Sequence, residues 1–117
     1  GGHDREWAMM KAAAYSRPGD VILMEMQTRT WDFSQPPEKW KLFVPAEFNR
    51  AVFDVVKVAV DAGIVVVAGA GNGFEAQWGQ SYSLDGPLYG LPTWRSWGDS
   101  GAIIVGAGKP YAWHEKL

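Results

Sequence analysis

The stretch "GIVVVAGAGNG", residues 63–73, decides the fold: a solid apolar run that ends in glycines around one asparagine. An unbroken apolar run of this length predicts a strand that is buried on both faces. Gly69, Gly71 and Gly73 surround Asn72, and glycine allows backbone conformations and close approaches that other residues do not. The group that approaches so closely could be a phosphate, a peptide or another strand.

Outward from this strand, the chain alternates helical and extended patterns. Residues 4–15 are rich in helix formers, with Trp7, Met10, Lys11 and Ala14 at helical spacings. "VILMEM" (21–26) and "AIIVGAG" (102–108) are short apolar runs that predict two more strands. Between the first two strands, residues 46–61 carry an apolar stripe with a period near 3.6.

Proline and glycine set the predicted boundaries of the second helix and the loops. Pro45 is expected to start the helix, because its missing N–H needs no partner there, and Gly63 is expected to stop it. Residues 27–45 are polar and proline-bearing and predict one long loop. A second long loop is expected between Asn72 and the last strand.

This order of elements predicts an α/β fold, a partial three-layer α/β/α arrangement with a short parallel sheet. Residues 20–26, 64–68 and 102–106 are expected to be parallel neighbours, with a right-handed helical crossover. Residues 1–117 are expected to form one domain, a segment of a larger catalytic domain. Three strands and two helices are too few to cover both sheet faces, so the chain is expected to pack against a missing remainder or another copy.

Composition excludes several classes of function. The 117 residues have a net charge of −2 and no basic run, so nucleic acid is not an expected partner. No apolar stretch approaches the length of a membrane span, and no membrane partner is expected. The absence of cysteine removes thiol nucleophiles and Cys-based metal sites but leaves the compartment open. Neither a metal nor a cofactor is expected.

Tryptophan is unusually frequent, with 7 residues in the chain, most of them outside the apolar runs. Large aromatic side chains can pin long loops onto the body of a domain. The same residues could instead form a platform for a sugar or a peptide. The first interpretation is favoured.

Two phosphate-binding motifs fail at the glycine-rich loop. A dinucleotide fingerprint starting at Gly69 and Gly71 would place its third glycine at Phe74, and no helical pattern follows. A P-loop would need a lysine followed by serine or threonine, which the loop lacks.

The motif "GDSG", residues 98–101, imitates the nucleophile motif of chymotrypsin-like peptidases. That family is all-β, whereas the pattern here is α/β. Asp99, Ser100 and Gly101 lead directly into an apolar strand and are therefore interpreted as turn residues rather than as a catalytic site.

Four segments in order resemble the central portion of the subtilisin-like serine peptidases: "GDVILMEM", the helix "FNRAVFDVVKVAVDAG", "IVVVAGAGNG" and "SGAIIVGAG". In that family a helix ending near Ala-Gly leads into a strand similar to V-V-V-A-A-A-G-N-x-G, and a later strand is similar to V-I-x-V-G-A. The resemblance covers about residues 19–108 and implies a serine endopeptidase.

The resemblance also implies site roles. Asn72 matches the asparagine whose side-chain amide donates to the oxyanion of the tetrahedral intermediate. Gly69, Ala70 and Gly71 match the wall of the pocket for the residue before the scissile bond. Glu25, Met26 and Gln27 stand where the family has Ser-Leu-Gly, which pairs with extended peptide or protein substrate.

The catalytic triad motifs are missing from this chain. No Gly-Thr-Ser-Met-Ala stretch is present, His3 and His114 are not followed by Gly-Thr, and Asp99-Ser100-Gly101 precedes a strand instead of following one. The segment is therefore expected to be inactive alone. His3 and His114 are interpreted as solvated residues.

The alternative function is a non-catalytic α/β module that uses its Trp-rich loops for binding or self-association. Flanking coding sequence with the triad motifs would favour the peptidase, whereas a start and a stop at the chain ends would favour the module.

Overall fold

A computed structural model of the protein describes residues 2–31, 41–74 and 94–107. These residues form a mixed α/β fold with two helices, two short 3-10 turns and six strands. The helices are α1 (Gly2–Tyr15) and α2 (Arg50–Asp61), and the 3-10 turns span Ala46–Phe48 and Trp94–Trp97. The strands are β1 (Val21–Met24), β2 (Gln27–Trp31), β3 (Lys41–Pro45), β4 (Val65–Gly69), β5 (Gly73–Phe74) and β6 (Ile103–Val105).

The predicted parallel sheet is confirmed. Its order is β1-β4-β6, with both pairs parallel. The register places Met24 beside Ala68, and Ala68 beside Ile104. Strand β4, from the stretch 63–73, therefore lies at the centre of the sheet.

The second helix ends as predicted but begins later. Gly63 has a φ of +89° directly after the Ala62 cap, the left-handed conformation typical of the residue that follows a helix. The prediction that Pro45 starts the helix is wrong, because Pro45 closes β3 and a 3-10 turn follows. The N-cap of α2 is Asn49, whose Oδ1 accepts from the backbone N–H groups of Ala51 (2.9 Å) and Val52 (3.3 Å).

Asn49 also joins the two helices. Its Nδ2 donates to Oε1 of Glu6 in α1 over 2.8 Å. We expect Asn49→Ala to lower the free energy of unfolding by about 1–2 kcal/mol, since it removes both the cap and the interhelical bond. Asn49→Ser retains a capping oxygen and loses only the bond to Glu6, so its loss should be smaller. Urea unfolding followed by circular dichroism measures both; equal losses would contradict a capping role.

The core lies between the two helices and one face of the parallel sheet. It contains a cluster of buried side chains from α1, β1, the 3-10 turn after β3, α2 and residues 64–68: Met9, Ile22, Met24, Ala46, Val52, Val56, Ala59, Ile64, Val66 and Ala68. The helix over residues 4–15 is confirmed, but Met9, Ala12 and Ala13 form its inner face. Trp7 and Met10 are exposed, so helical spacing alone did not identify the buried side of α1.

The prediction of one loop over residues 27–45 is wrong. β2 and β3 form an antiparallel pair, with Gln27 beside Pro45 and Trp31 beside Lys41, and β5 adds to β3. Proline is tolerated at the last position of β3 because no further ladder bond is required of it there. Residues 32–40 between the two strands lie outside the described residues, as do residues 75–93 of the second predicted loop.

The other face of the parallel sheet is not covered by either helix. Along β1, buried Ile22 and Met24 alternate with exposed Val21 and Leu23. The expectation that three strands and two helices cannot cover both faces of the sheet is therefore confirmed among the described residues, where both helices lie on one face and Val21, Leu23, Ile103 and Val105 are exposed on the other. In the part of the chain that the structure describes, no helix is long and apolar enough to span a membrane.

Candidate functional site

The seven residues given site roles by the sequence lie at one edge of the parallel sheet. Glu25, Met26 and Gln27 follow the carboxyl end of β1, and residues 69–72 end and follow its neighbour β4. Because β1 and β4 are parallel and in register, their carboxyl ends meet at the same edge. In open α/β sheets this edge is where ligands bind.

A hydrogen bond connects the two segments directly. The backbone N–H of Asn72 donates to Oε1 of Gln27 over 2.9 Å. Asn72 is exposed, and no residue within the described ranges accepts a hydrogen bond from its side-chain amide. Its backbone is therefore held by Gln27 while its amide stays available to a ligand. The sequence placed both residues in the site but did not predict this bond between them.

The glycines around Asn72 differ in which atoms lie close to them. Gly71 has a φ of +87°, and a Cβ there would lie 2.6 Å from the carbonyl oxygen of Phe43 and 2.9 Å from the carbonyl carbon of Val44. Gly73 pairs with Phe43 in the antiparallel sheet. The neighbour that requires Gly71 is therefore strand β3. At Gly69 a Cβ would meet nothing within 4 Å, so this position is open.

The segment after β1 is anchored at Met26 and Gln27. Met26 is half-buried and packs against the core cluster, whereas Glu25 is exposed. The guanidinium of Arg5 in α1 donates to the carbonyl oxygen of Gln27. Ala70, on the neighbouring segment, donates its N–H to the carbonyl of Val105 over 3.0 Å. The edge is thus built on strands and a helix rather than on a free loop.

The "GDSG" segment is a turn, as the sequence predicted. Asp99 Oδ1 accepts from the N–H of Gly101 (2.8 Å), and Ser100 Oγ accepts from the N–H of Ala102 (3.2 Å). Ser100 is only 3% exposed and donates its hydroxyl proton to the carboxylate of Glu47, which is fully buried. A buried hydroxyl committed to a carboxylate is not an accessible nucleophile. Sequence reasoning missed Glu47, because a glutamate near a predicted helix start is normally a solvated charge.

The one tryptophan of the loops whose side chain is described, Trp97, packs within the chain. Its ring lies 5.7 Å from that of Phe53 and 6.3 Å from that of Phe48, and the guanidinium of Arg50 lies 5.3 Å from its centroid. Trp97 therefore pins the turn before β6 onto the start of α2. For this residue the loop-pinning interpretation applies.

The structure does not describe the side chains of several other residues considered in the sequence analysis. His114 and three of the 7 tryptophans (Trp40, Trp78 and Trp113) lie outside the described residues, and the side chain of His3, in α1, lies outside them too. Within residues 2–31, 41–74 and 94–107, no group of three or more His, Asp or Glu side chains could hold a metal ion.

Together, the described residues define a mixed α/β protein with a polar and glycine-rich edge at the carboxyl ends of two parallel strands. Comparison with known protein families, with curated proteins and with solved structures returned no match for this chain.

Proposed function

We propose that this chain supplies the oxyanion hole and part of the substrate pocket of a subtilisin-like serine endopeptidase and has no peptidase activity alone. The observation that carries the proposal is the position of Asn72. Its amide is exposed at the carboxyl edge of β4, while its backbone is fixed by Gln27. A neutral amide donor carried on an anchored backbone can stabilise a developing oxyanion more than it stabilises the ground-state carbonyl.

The order of the parallel strands supports the proposal. The three segments on which the resemblance depends become neighbours β1, β4 and β6 in one parallel sheet. An antiparallel pairing of β4 with β6 would have been incompatible with a subtilisin-like arrangement. Under the proposal, Glu25, Met26 and Gln27 line the path of an extended peptide, and Gly69, Ala70 and Gly71 line the pocket beside it.

The buried environment of Ser100 supports the proposal that the chain has no peptidase activity alone. The side chain that most resembles a peptidase nucleophile in sequence donates to Glu47 inside the protein. The nucleophile and its base would then come from other segments of a complete domain. Cleavage needs such an activated nucleophile as well as an oxyanion donor.

Two measurements test the proposal. The purified chain should neither hydrolyse casein nor react with a fluorophosphonate probe, and Ser100→Ala should behave identically in both assays. The coding sequence on either side should contain the Asp, His-Gly-Thr and Gly-Thr-Ser-Met-Ala motifs. Stoichiometric labelling of Ser100 would overturn the assignment, and so would flanking sequence without the triad motifs.

A further inference from the structure

One face of the parallel sheet is a continuous apolar surface. It consists of the side chains that point away from the helices, here called the open face: Val21 and Leu23 of β1, Val65 and Val67 of β4, and Ile103 and Val105 of β6. Val21 and Leu23 are 64% and 63% exposed, and Ile103 and Val105 are 55% and 53% exposed. All six are aliphatic, so nothing on these positions favours contact with water.

The register makes these side chains one patch rather than scattered residues. Val21 lies beside Val65, Leu23 beside Val67, and Val67 beside Ile103. Adjacent strands lie about 4.8 Å apart, so side chains in these rows are in lateral contact range. Together the six expose on the order of 500 Å² of apolar surface, which is at the upper end of what a monomer exposes in one patch.

We infer that the open face is the interface for a second copy of this chain, which packs face to face across a two-fold axis. Two such patches together bury about 1,000 Å², which is the lower limit for a specific interface. In a two-fold arrangement the same patch serves both copies, so one apolar surface is sufficient. The inference concerns the isolated chain and rests on the exposure of these six side chains, not on the proposed peptidase role.

The shape of the open face suits this occupant. Its strands are short and end together, so two sheets can stack at the usual separation of about 10 Å with their side chains interdigitated.

The test is the mass of the purified chain in solution. Sedimentation at micromolar concentrations should give twice the 12.9 kDa of one chain. Leu23→Lys places a charge in the centre of the open face and should weaken dimerisation on the order of 100-fold or more, giving monomers. Val58→Lys is the matched control, because Val58 is an equally exposed aliphatic residue (68%) on α2 and its replacement should leave the dimer intact.

A cysteine variant keeps the inference falsifiable if Leu23→Lys does not fold. The chain contains no cysteine, so a thiol at Val67→Cys is unique. In the dimer, a bifunctional maleimide with a spacer of about 10 Å, the separation of stacked sheets, should cross-link two copies through this residue, whereas a cysteine at Val58 should stay uncross-linked. Three results would overturn the inference. The first is a monomer at all concentrations, and the second is a monomer in which the chain's own segments protect the thiol at position 67 from maleimide. The third is equal cross-linking at positions 67 and 58.

Discussion

Under the proposed function, replacement of Asn72 by alanine is expected to lower kcat about 10²–10³-fold in a domain that also carries the catalytic triad, with little change in KM. The size is that of losing the oxyanion-hole asparagine of subtilisin. The physical reason is that the amide meets full negative charge only in the transition state, so its loss does not weaken substrate binding equally. Peptide hydrolysis by the triad-bearing polypeptide measures both constants.

The control for this experiment is Lys57→Ala. Lys57 lies on the exposed side of α2 and pairs with Asp61 at 3.9 Å, and exposed pairs of this kind contribute little. Its kcat and KM should equal those of the unaltered enzyme. If Asn72→Ala raises KM and leaves kcat unchanged, Asn72 binds substrate rather than stabilising the oxyanion, and the proposed role is wrong.

Replacement of Gly71 by alanine is expected to destabilise the protein by about 3 kcal/mol or more. Two costs add at this position. The backbone φ of +87° is strained for any residue with a Cβ, and that Cβ would lie 2.6 Å from a carbonyl oxygen of β3. The clash is with backbone, which can move only if β3 shifts as well. Chemical denaturation of the isolated chain measures the loss.

Substitutions at two other glycines separate the cost of backbone strain from the cost of the clash with β3. Gly69→Ala meets no atom within 4 Å and has no positive φ, so stability should change by less than about 1 kcal/mol. Gly19 has a φ of +91° but open space around its Cβ position, so Gly19→Ala should cost only the strain, about 1–2 kcal/mol. If Gly71→Ala is no worse than Gly19→Ala, the contact with β3 does not constrain the loop.

The comparison of these glycines shows what a motif can and cannot reveal. The sequence indicated that something approaches closely beside Asn72 and left a phosphate, a peptide or a strand as alternatives. For Gly71 the structure identifies a strand, because Phe43 and Val44 lie against it. The identity of that neighbour depends on β3, which is distant in sequence, so the local glycine pattern had no means to specify it.

The candidate site also has features that the sequence predicted and features that it did not. Its residues were identified from their resemblance to a family pattern, and their common location follows from parallel strands that end at one edge. The bond from the Asn72 backbone to Gln27 and the burial of Glu47 against Ser100 could not be predicted. Each joins segments far apart in the chain through side chains whose partners depend on packing.

Elements with local signals could be predicted from the sequence. Continuous apolar runs predicted β1, β4 and β6, a 3.6-residue stripe predicted α2, Gly63 predicted its end, and the small number of elements predicted an uncovered sheet face. Only the folded chain shows that residues 27–31 and 41–45 pair as strands and that Met9 rather than Trp7 is buried. The physical reason is that strand pairing and burial are contacts between distant segments, and their free energy exists only when both partners are in place.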